Sequence, residues 1–262
     1  MNQYFYRQVA DLLGRYRAVA VATVVRTRGS VPRHAGSRMI ILPDGASLHS
    51  VGGGRYEALV IEQALELLRG GDGPVLRTFP FRPEGPDSFG SVCGGEAEVF
   101  VEVIARAPRL VIVGGGHCGL ALARAASLLD FRILVIEDRQ DFAEAGRFEG
   151  TRAEQVIFAE QEFQNLPALE PDDYVVLVSR AHHTDLAALK RLLGQAPPRY
   201  VGMLGSQRRV ETVFRALREA GVSAEALRQV HAPVGIEVGA ETPEEIAISI
   251  LAEITRVRRQ RV

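Results

Sequence analysis

Cysteine is nearly missing from this chain: 262 residues contain two, Cys93 and Cys118, with no metal-ligand spacing between them. A disulfide framework and a structural zinc site are therefore not expected. An excess of either charge is missing too, since 31 Lys and Arg meet 32 Asp and Glu for a net charge of −1. That balance points to neither nucleic acid nor a membrane surface. The one basic run, Arg256, Arg258, Arg259 and Arg261, reads as the solvated end of a helix, where cations complement the dipole. No apolar stretch is long enough to span a bilayer, and the opening MNQYFYRQVADLLGRYR lacks a signal-peptide core. A cytoplasmic protein is expected. What the chain does have is a hydrophobic content of 47%, enough to bury a sizeable core and, at this length, to build two domains.

The best-defined stretch is Leu110 to Asp138, LVIVGGGHCGLALARAASLLDFRILVIED. Apolar β-formers run into Gly114, Gly116 and Gly119, then into an apolar helical pattern, then into a second apolar run ending in Glu137 and Asp138. The reading is strand, glycine turn, helix, strand. Gly114 serves the tight turn, Gly116 the approach of a phosphate to the backbone, and Gly119 the close packing of helix on strand. The helix start offers free N–H groups and the positive end of a dipole to an anion. Acids about 20 residues beyond the turn complete a dinucleotide-binding pattern.

Before this stretch, residues 3 to 15 read as an amphipathic helix and Ala18 to Val25 as a strand. The following RTRGSVPRHAGSR is dense in Arg, Gly and Pro, and is either a solvated turn or an anion site. Met39 to Leu42 and Ala46 to His49 form a hairpin around Asp44-Gly45. SVGGGRYEALVIEQALELLRGG sets three glycines before a helix, a second candidate anion cradle without the G-x-G-x-x-G spacing. Strands at Val75 to Phe79 and Ala97 to Ile104 flank a loop that carries Cys93 directly before Gly94 and Gly95. Small neighbours leave that thiol accessible, and the N–H groups of a Gly-Gly turn favour a thiolate suited to a soft metal or to carrying sulfur. The alternative is an incidental small residue in a tight turn. A linker at Ala105 to Arg109 separates a domain over residues 1–105 from one over 109–262.

After Asp138, Gln155 to Phe158 reads as a short strand and Asp173 to Ser179 as a buried parallel one. The latter delivers Arg180, His182, His183 and Asp185 at its C-terminal end, the edge where doubly wound sheets bind ligands. Tyr200 to Gly202 is a further strand, and Leu204-Gly205-Ser206 caps a helix with Arg208 and Arg209 in its first turn. Cations there oppose the helix dipole, so they call for an anionic ligand or for simple solvation. Thr242, Pro243, Glu244 and Glu245 start a last, structural helix. The fold class is α/β: a C-terminal Rossmann-like doubly wound parallel sheet preceded by a smaller α+β N-terminal domain.

Seven blocks in order, GSVPRHAGSRMII, SVGGGRYEA, VCGGEAEVFVE, IVGGGHCGLALA, LVSRAHHTD, YVGMLGSQRRV and HAPVGIEVGAETPEEIAISILAEI, resemble the XdhC/CoxI family of accessory proteins for molybdenum hydroxylases such as xanthine dehydrogenase. The likeness runs from about Thr23 to Arg258. It implies a factor that binds the molybdenum cofactor, helps it acquire a terminal sulfido ligand from a cysteine desulfurase, and delivers it to the hydroxylase apoenzyme. Such a role requires no turnover, so a maturation factor rather than an enzyme is expected. Cys93 falls on the family's Cys-Gly-Gly position, which implies a molybdenum or sulfur contact. Val92 and Arg55 stand where some members carry a further cysteine, and Arg209 where the family has lysine.

Joined to the glycine turn, the resemblance yields one scheme. The cofactor is a pterin dithiolene bearing a phosphate, or a pyrophosphate in its dinucleotide form, and Gly114, Gly115, Gly116, His117 and Gly119 hold that end. Glu137 or Asp138 accepts from a ribose hydroxyl, while Cys93, beside Gly94 and Gly95, faces the metal across a domain cleft. Arg180, His182, His183, Gly205, Ser206 and Arg209 are further contacts. Two rivals stand beside this scheme. One is an NAD(P)-dependent oxidoreductase with His182 or His183 as proton donor and Arg139 suited to NADP. The other is a nucleotide-binding regulator without turnover. A homodimer is the default expectation for a soluble oligomer.

Overall fold

The computed structural model describes residues 2–81, 94–160, 163 and 165–260. The chain divides into two compact units, Met1–Arg106 and Ala107–Val262. In the first, α1 (Asn2–Leu13) leads to β1 (Ala18–Arg28), β2 (Arg38–Ile41), β3 (Ser47–His49), α2 (Gly54–Leu68), β4 (Val75–Pro80) and β5 (Glu96–Ala105). The strands form an antiparallel sheet in the order β3-β2-β1-β5-β4.

β1 opens on AVAVATVV, apolar but for Thr23, because both of its faces are covered. Ala20, Ala22 and Val24 pack with Tyr56, Val60 and Ala64 of α2, whereas Val19 and Val21 pack with Phe5 and Val9 of α1. The strand continues past the expected Val25 to Arg28. Arg26 meets Glu98 at 3.3 Å and Arg28 meets Glu96 at 3.5 Å on neighbouring β5. The start of the cationic stretch is therefore strand facing acids rather than a turn. Exposed cross-strand pairs contribute under about 1 kcal/mol each, enough to favour one register among strands already paired.

The Gly94-Gly95 pair also has a packing explanation. Phe81 N–H donates to Gly95 O, and Gly94 N–H donates to Phe81 O, both at 2.8 Å. A Cβ on Gly95 would lie 2.2 Å from the Ser30 carbonyl oxygen and 2.5 Å from that of Arg28. The passing backbone thus demands glycine, and the Gly94 amide is committed rather than free to stabilise a thiolate. Cys93 lies outside the described residues.

The second unit contains β6 (Arg109–Val113), α3 (His117–Ala126), β7 (Arg132–Glu137), β8 (Ala153–Phe158), β9 (Tyr174–Leu177), α4 (His182–Leu193), β10 (Tyr200–Met203), α5 (Gln207–Glu219), α6 (Ala224–Arg228), β11 (Val230–His231) and α7 (Pro243–Arg259). Its six strands are parallel, in the order β11-β10-β9-β6-β7-β8. From β6 the chain winds outward through β7 to β8, then returns to the other side of β6 for β9, β10 and β11. That is the doubly wound Rossmann order, with its switch point between β6 and β9.

Side chains of β6 alternate between two cores: Leu110 and Ile112 face the cluster that holds α3 and α7, and Val111 and Val113 face the one that holds α4 and α5. α7 begins as its sequence indicates, with Thr242 and Glu245 closing a capping box and Pro243 in the first turn. Glu253 anchors its far end, accepting from the Tyr200 hydroxyl and the Gly235 N–H at 2.8 Å each. Among the described residues, no helix is long and apolar enough to cross a membrane.

Candidate functional site

The C-terminal ends of β6, β7, β9 and β10 deliver the candidate residues of the second unit. Gly114 to Gly119 follow β6, Glu137 and Asp138 end β7, Arg180 and His182 follow β9, and Gly205, Ser206 and Arg209 follow β10. Strand order brings these ends to one edge. Gly114 turns with φ 116°, and a Cβ there would lie 2.8 Å from Val178 O across the switch point. A Cβ on Gly119 would lie 1.9 Å from Gly114 O, so helix and strand approach only because it is absent. Gly116 is different. Among the described residues its Cβ would meet Arg139 Nη2 alone within 4 Å, at an ordinary 3.5 Å. The packing of the described residues does not require its smallness. The N–H groups of Gly116, His117 and Cys118 open α3, where no intrahelical partner exists.

Glu137 has a different task from the one expected. It is 1% exposed, and its Oε2 accepts from Gly115 N–H at 2.6 Å. Arg139 adds a fork, with Nε to Oε1 and Nη2 to Oε2 both at 2.9 Å, and its backbone N–H adds a further bond at 3.0 Å. Burial alone pushes the Glu137 carboxyl up. The hydrogen bonds from Arg139 and Gly115, with the Arg139 charge, reverse this and hold it at about 2. Asp138 is more open: it is exposed and its Oδ2 accepts from the Thr184 hydroxyl at 2.9 Å. Desolvation and the adjacent Glu137 push it up. Of the two acids, Asp138 is the one with room to accept from a sugar hydroxyl.

The depressed Glu137 carboxyl makes a pH prediction. The unfolded chain takes up this proton near the ordinary 4.5, the folded chain only near 2. Between those values the unfolded state binds more protons at this site, so its contribution to stability falls as pH drops, while the raised Asp138 opposes part of that fall. Urea unfolding from pH 5 to pH 2 should show this slope, and Glu137→Gln should flatten it.

Around the turn, the Arg139 guanidinium stacks at 3.8 Å from the Phe142 ring centroid and Arg147 at 4.7 Å. Arg147 Nε donates to Gly115 O at 2.9 Å. Gly115 is therefore fixed through both its amide groups, and two cations stand beside the turn. The position of Arg139 after the acids was visible in sequence; the pairing of Arg147 and Phe142 with it was not.

Arg209, expected to meet an anionic ligand or solvent, instead meets an anion of the chain. Its Nε donates to Asp185 Oδ2 at 2.8 Å, Nη1 to Arg180 O at 3.2 Å, and Nη2 to Ser179 O at 3.0 Å. Asp185 is fully buried and also accepts from the Ser179 hydroxyl at 2.7 Å. Burial raises the Asp185 carboxyl, and Ser179 and Arg209 oppose that rise. The arginine thus ties the start of α5 to the switch-point segment. Ser206 is the cap of α5, its Oγ accepting from Arg209 N–H at 3.3 Å. Arg180, His182 and His183 are exposed at the edge, the two imidazoles edge-to-face at 5.9 Å.

The glycine run of the first unit is likewise filled from within. Ser50 Oγ, Val51 N–H and Gly53 N–H donate to Glu57 Oε2 at 2.5, 3.2 and 3.1 Å. Burial pushes this carboxyl up, and the donated bonds more than reverse it. The anion of that cradle is Glu57. Among the described residues, no three His, Cys, Asp or Glu side chains gather as metal ligands. Cys118 is half-buried, and burial with the Glu244 charge pushes its thiol up, away from thiolate.

A parallel sheet in this order, with a glycine turn after its central strand and acids after the next, defines a Rossmann-type domain. The chain belongs to the XdhC and CoxI family: residues 110–254 match the XdhC Rossmann domain and residues 12–80 the XdhC and CoxI family. An uncharacterized protein, YqeB, of Escherichia coli is 39% identical over 97% of this chain and 46% of its own length. A Bacillus subtilis protein named as a probable xanthine dehydrogenase subunit is 30% identical over 62% of this chain and 46% of its own. The chain spans about half the length of these two relatives. The molybdenum cofactor insertion chaperone PaoD of Escherichia coli is 28% identical over 96% of this chain and 87% of its own. A solved structure described as a xanthine dehydrogenase from Bacillus halodurans superposes with a TM-score of 0.54 at 21% identity, covering 98% of this chain and 96% of that one. That likeness establishes the shared fold.

Proposed function

We propose that this chain is an accessory factor for a molybdenum hydroxylase, binding the molybdenum cofactor and passing it to the apoenzyme. The observation that carries this is the open glycine turn of an XdhC-type Rossmann unit. Gly116 to Cys118 present first-turn amides without intrahelical partners, a Cβ is missing where a ligand approaches, and Arg139 is held beside Gly116. Those groups fit the phosphate or pyrophosphate end of the cofactor. The PaoD relative, aligned over most of both chains, supports the cargo. The same turn also suits NAD(P), whose pyrophosphate would meet the same first-turn amides.

Sulfuration is a finer part of the proposal and rests on sequence: Cys93 before Gly94-Gly95 supplies the thiol, and a cysteine desulfurase supplies the sulfur. The factor acts in the cytoplasm as a homodimer. The test is transfer. Protein loaded with molybdenum cofactor should restore activity to a purified apo-hydroxylase, and Cys93→Ala should bind cofactor but yield less active enzyme. Retention of NAD with neither cofactor binding nor transfer would contradict the reading.

A further inference from the structure

α7 is anchored by one side and presents the other. Ala247, Ile250, Leu251 and Ile254 are buried in the core cluster shared with α3. On the opposite side, Glu245, Ile248, Ala252, Thr255 and Arg259 recur at spacings of three and four, which sets them in one stripe along the helix. Glu245, Ile248, Thr255 and Arg259 are exposed and Ala252 is half-buried. The acid at the start and the arginine at the end suit the helix dipole. Ile248 is not explained that way: it is 63% exposed in the middle of the stripe. Thr255 adds little polarity, because its hydroxyl donates to Leu251 O at 2.7 Å within the helix.

The stripe is complementary to its own reverse. Laid antiparallel on a second copy across a two-fold axis at Ala252, the helix sets Glu245, seven residues before the axis, beside Arg259, seven residues after it, at both ends. Ile248 then packs over Ala252 and Thr255 of the second copy, and the small residue at the axis lets the two helices approach closely. Glu245 has an oxygen to spare: its Oε2 takes the amides of Glu241 and Thr242 at 2.9 Å each, which leaves Oε1. Arg259 forms no ion pair among the described residues. A parallel arrangement would set acid beside acid and arginine beside arginine, so charge selects the antiparallel one. A helix of 17 residues is about 25 Å long and 10 Å across. That footprint is below the roughly 800 Å² per partner of a stable interface, so α3, which packs beside α7, extends the face. Leu128, just past α3, adds a side chain that is 88% exposed.

We infer that the outer face of α7, flanked by α3, is the two-fold interface between two copies of this chain, with Ala252 at the axis and a Glu245–Arg259 pair at either end. The inference rests on the homodimer of the proposed function and locates its contact. It makes no use of the molybdenum cargo, so the two readings fail separately.

The test is sedimentation equilibrium of the full chain at low and high salt, with molybdenum retention measured in parallel. Wild type should be dimeric. Ile248→Glu should weaken association roughly 100-fold, because the two-fold repeats the change on both chains. Arg259→Glu should weaken it about tenfold at low salt by facing Glu245 with a like charge, and high salt should relieve that loss. Both positions are exposed, so circular dichroism should show both variants folded. Leu76→Glu, at an exposed apolar position on β4, is the control and should leave the dimer intact. A dimer that survives Ile248→Glu, or one lost on Leu76→Glu instead, would place the contact elsewhere and overturn the inference. A monomeric wild type would overturn it together with the homodimer, while molybdenum retention by that monomer would leave the accessory reading standing.

Discussion

Arg209→Met should destabilise the C-terminal unit by about 3–5 kcal/mol, the cost of leaving a buried carboxylate without its charge partner. Asp185 is fully buried and Arg209 supplies its charged hydrogen bonds, while the Ser179 hydroxyl supplies a neutral one. Methionine fills the volume of the arginine stem, so the loss isolates the charge. Lysine should rescue little, because a point charge cannot reach Asp185, Arg180 O and Ser179 O together. Urea unfolding checks this. A ligand-binding arginine would behave in the opposite way: its loss would leave stability within about 0.5 kcal/mol, as surface changes do.

Gly119→Ala should be as damaging, about 3 kcal/mol or more. The added carbon would lie 1.9 Å from Gly114 O, a backbone atom that cannot swing aside. α3 would have to lift from β6, losing contacts of Leu122 and Ala126 with the core. Gly116→Ala provides the contrast within the same turn. Its Cβ meets one mobile guanidinium at 3.5 Å, and its backbone, at φ −66° and ψ −163°, suits alanine. The expected cost is about 1 kcal/mol or less, that of an alanine at a helix cap. Thermal unfolding of the two variants side by side separates a glycine that packing requires from one that packing does not.

The contrast shows what a sequence can disclose. The strand, turn, helix and strand over Leu110 to Asp138 were legible because each element is dictated by local pattern and the glycines fall at the recognisable spacing of a strand-to-helix turn. Thr242 and Pro243 were legible for the same reason. The fates of charged side chains were not. Arg209 and Asp185 lie on different helices, and only the sheet order places them together. Glu137 stands where an acid commonly meets ribose, yet the fork of Arg139, two residues on, claims it. Glu57 fills a glycine cradle that looked like a ligand site, because α2 turns its first acid back over its own start. β11 is two residues long and carries no periodicity, so only pairing with β10 defines it. The 233–240 loop was visible as part of a family block, but its course depends on hydrogen bonds to α7 and β10.

The central claim is that the glycine turn of the Rossmann unit holds the molybdenum cofactor. The most direct measurement is molybdenum retained after gel filtration of cofactor-loaded wild type and Gly116→Ala at matched folded fraction. The account predicts stoichiometric molybdenum with wild type and at least about a tenfold loss of affinity for the variant, because the new methyl stands where a phosphate approaches. Equal retention by both proteins would contradict it and place the cofactor elsewhere on the chain.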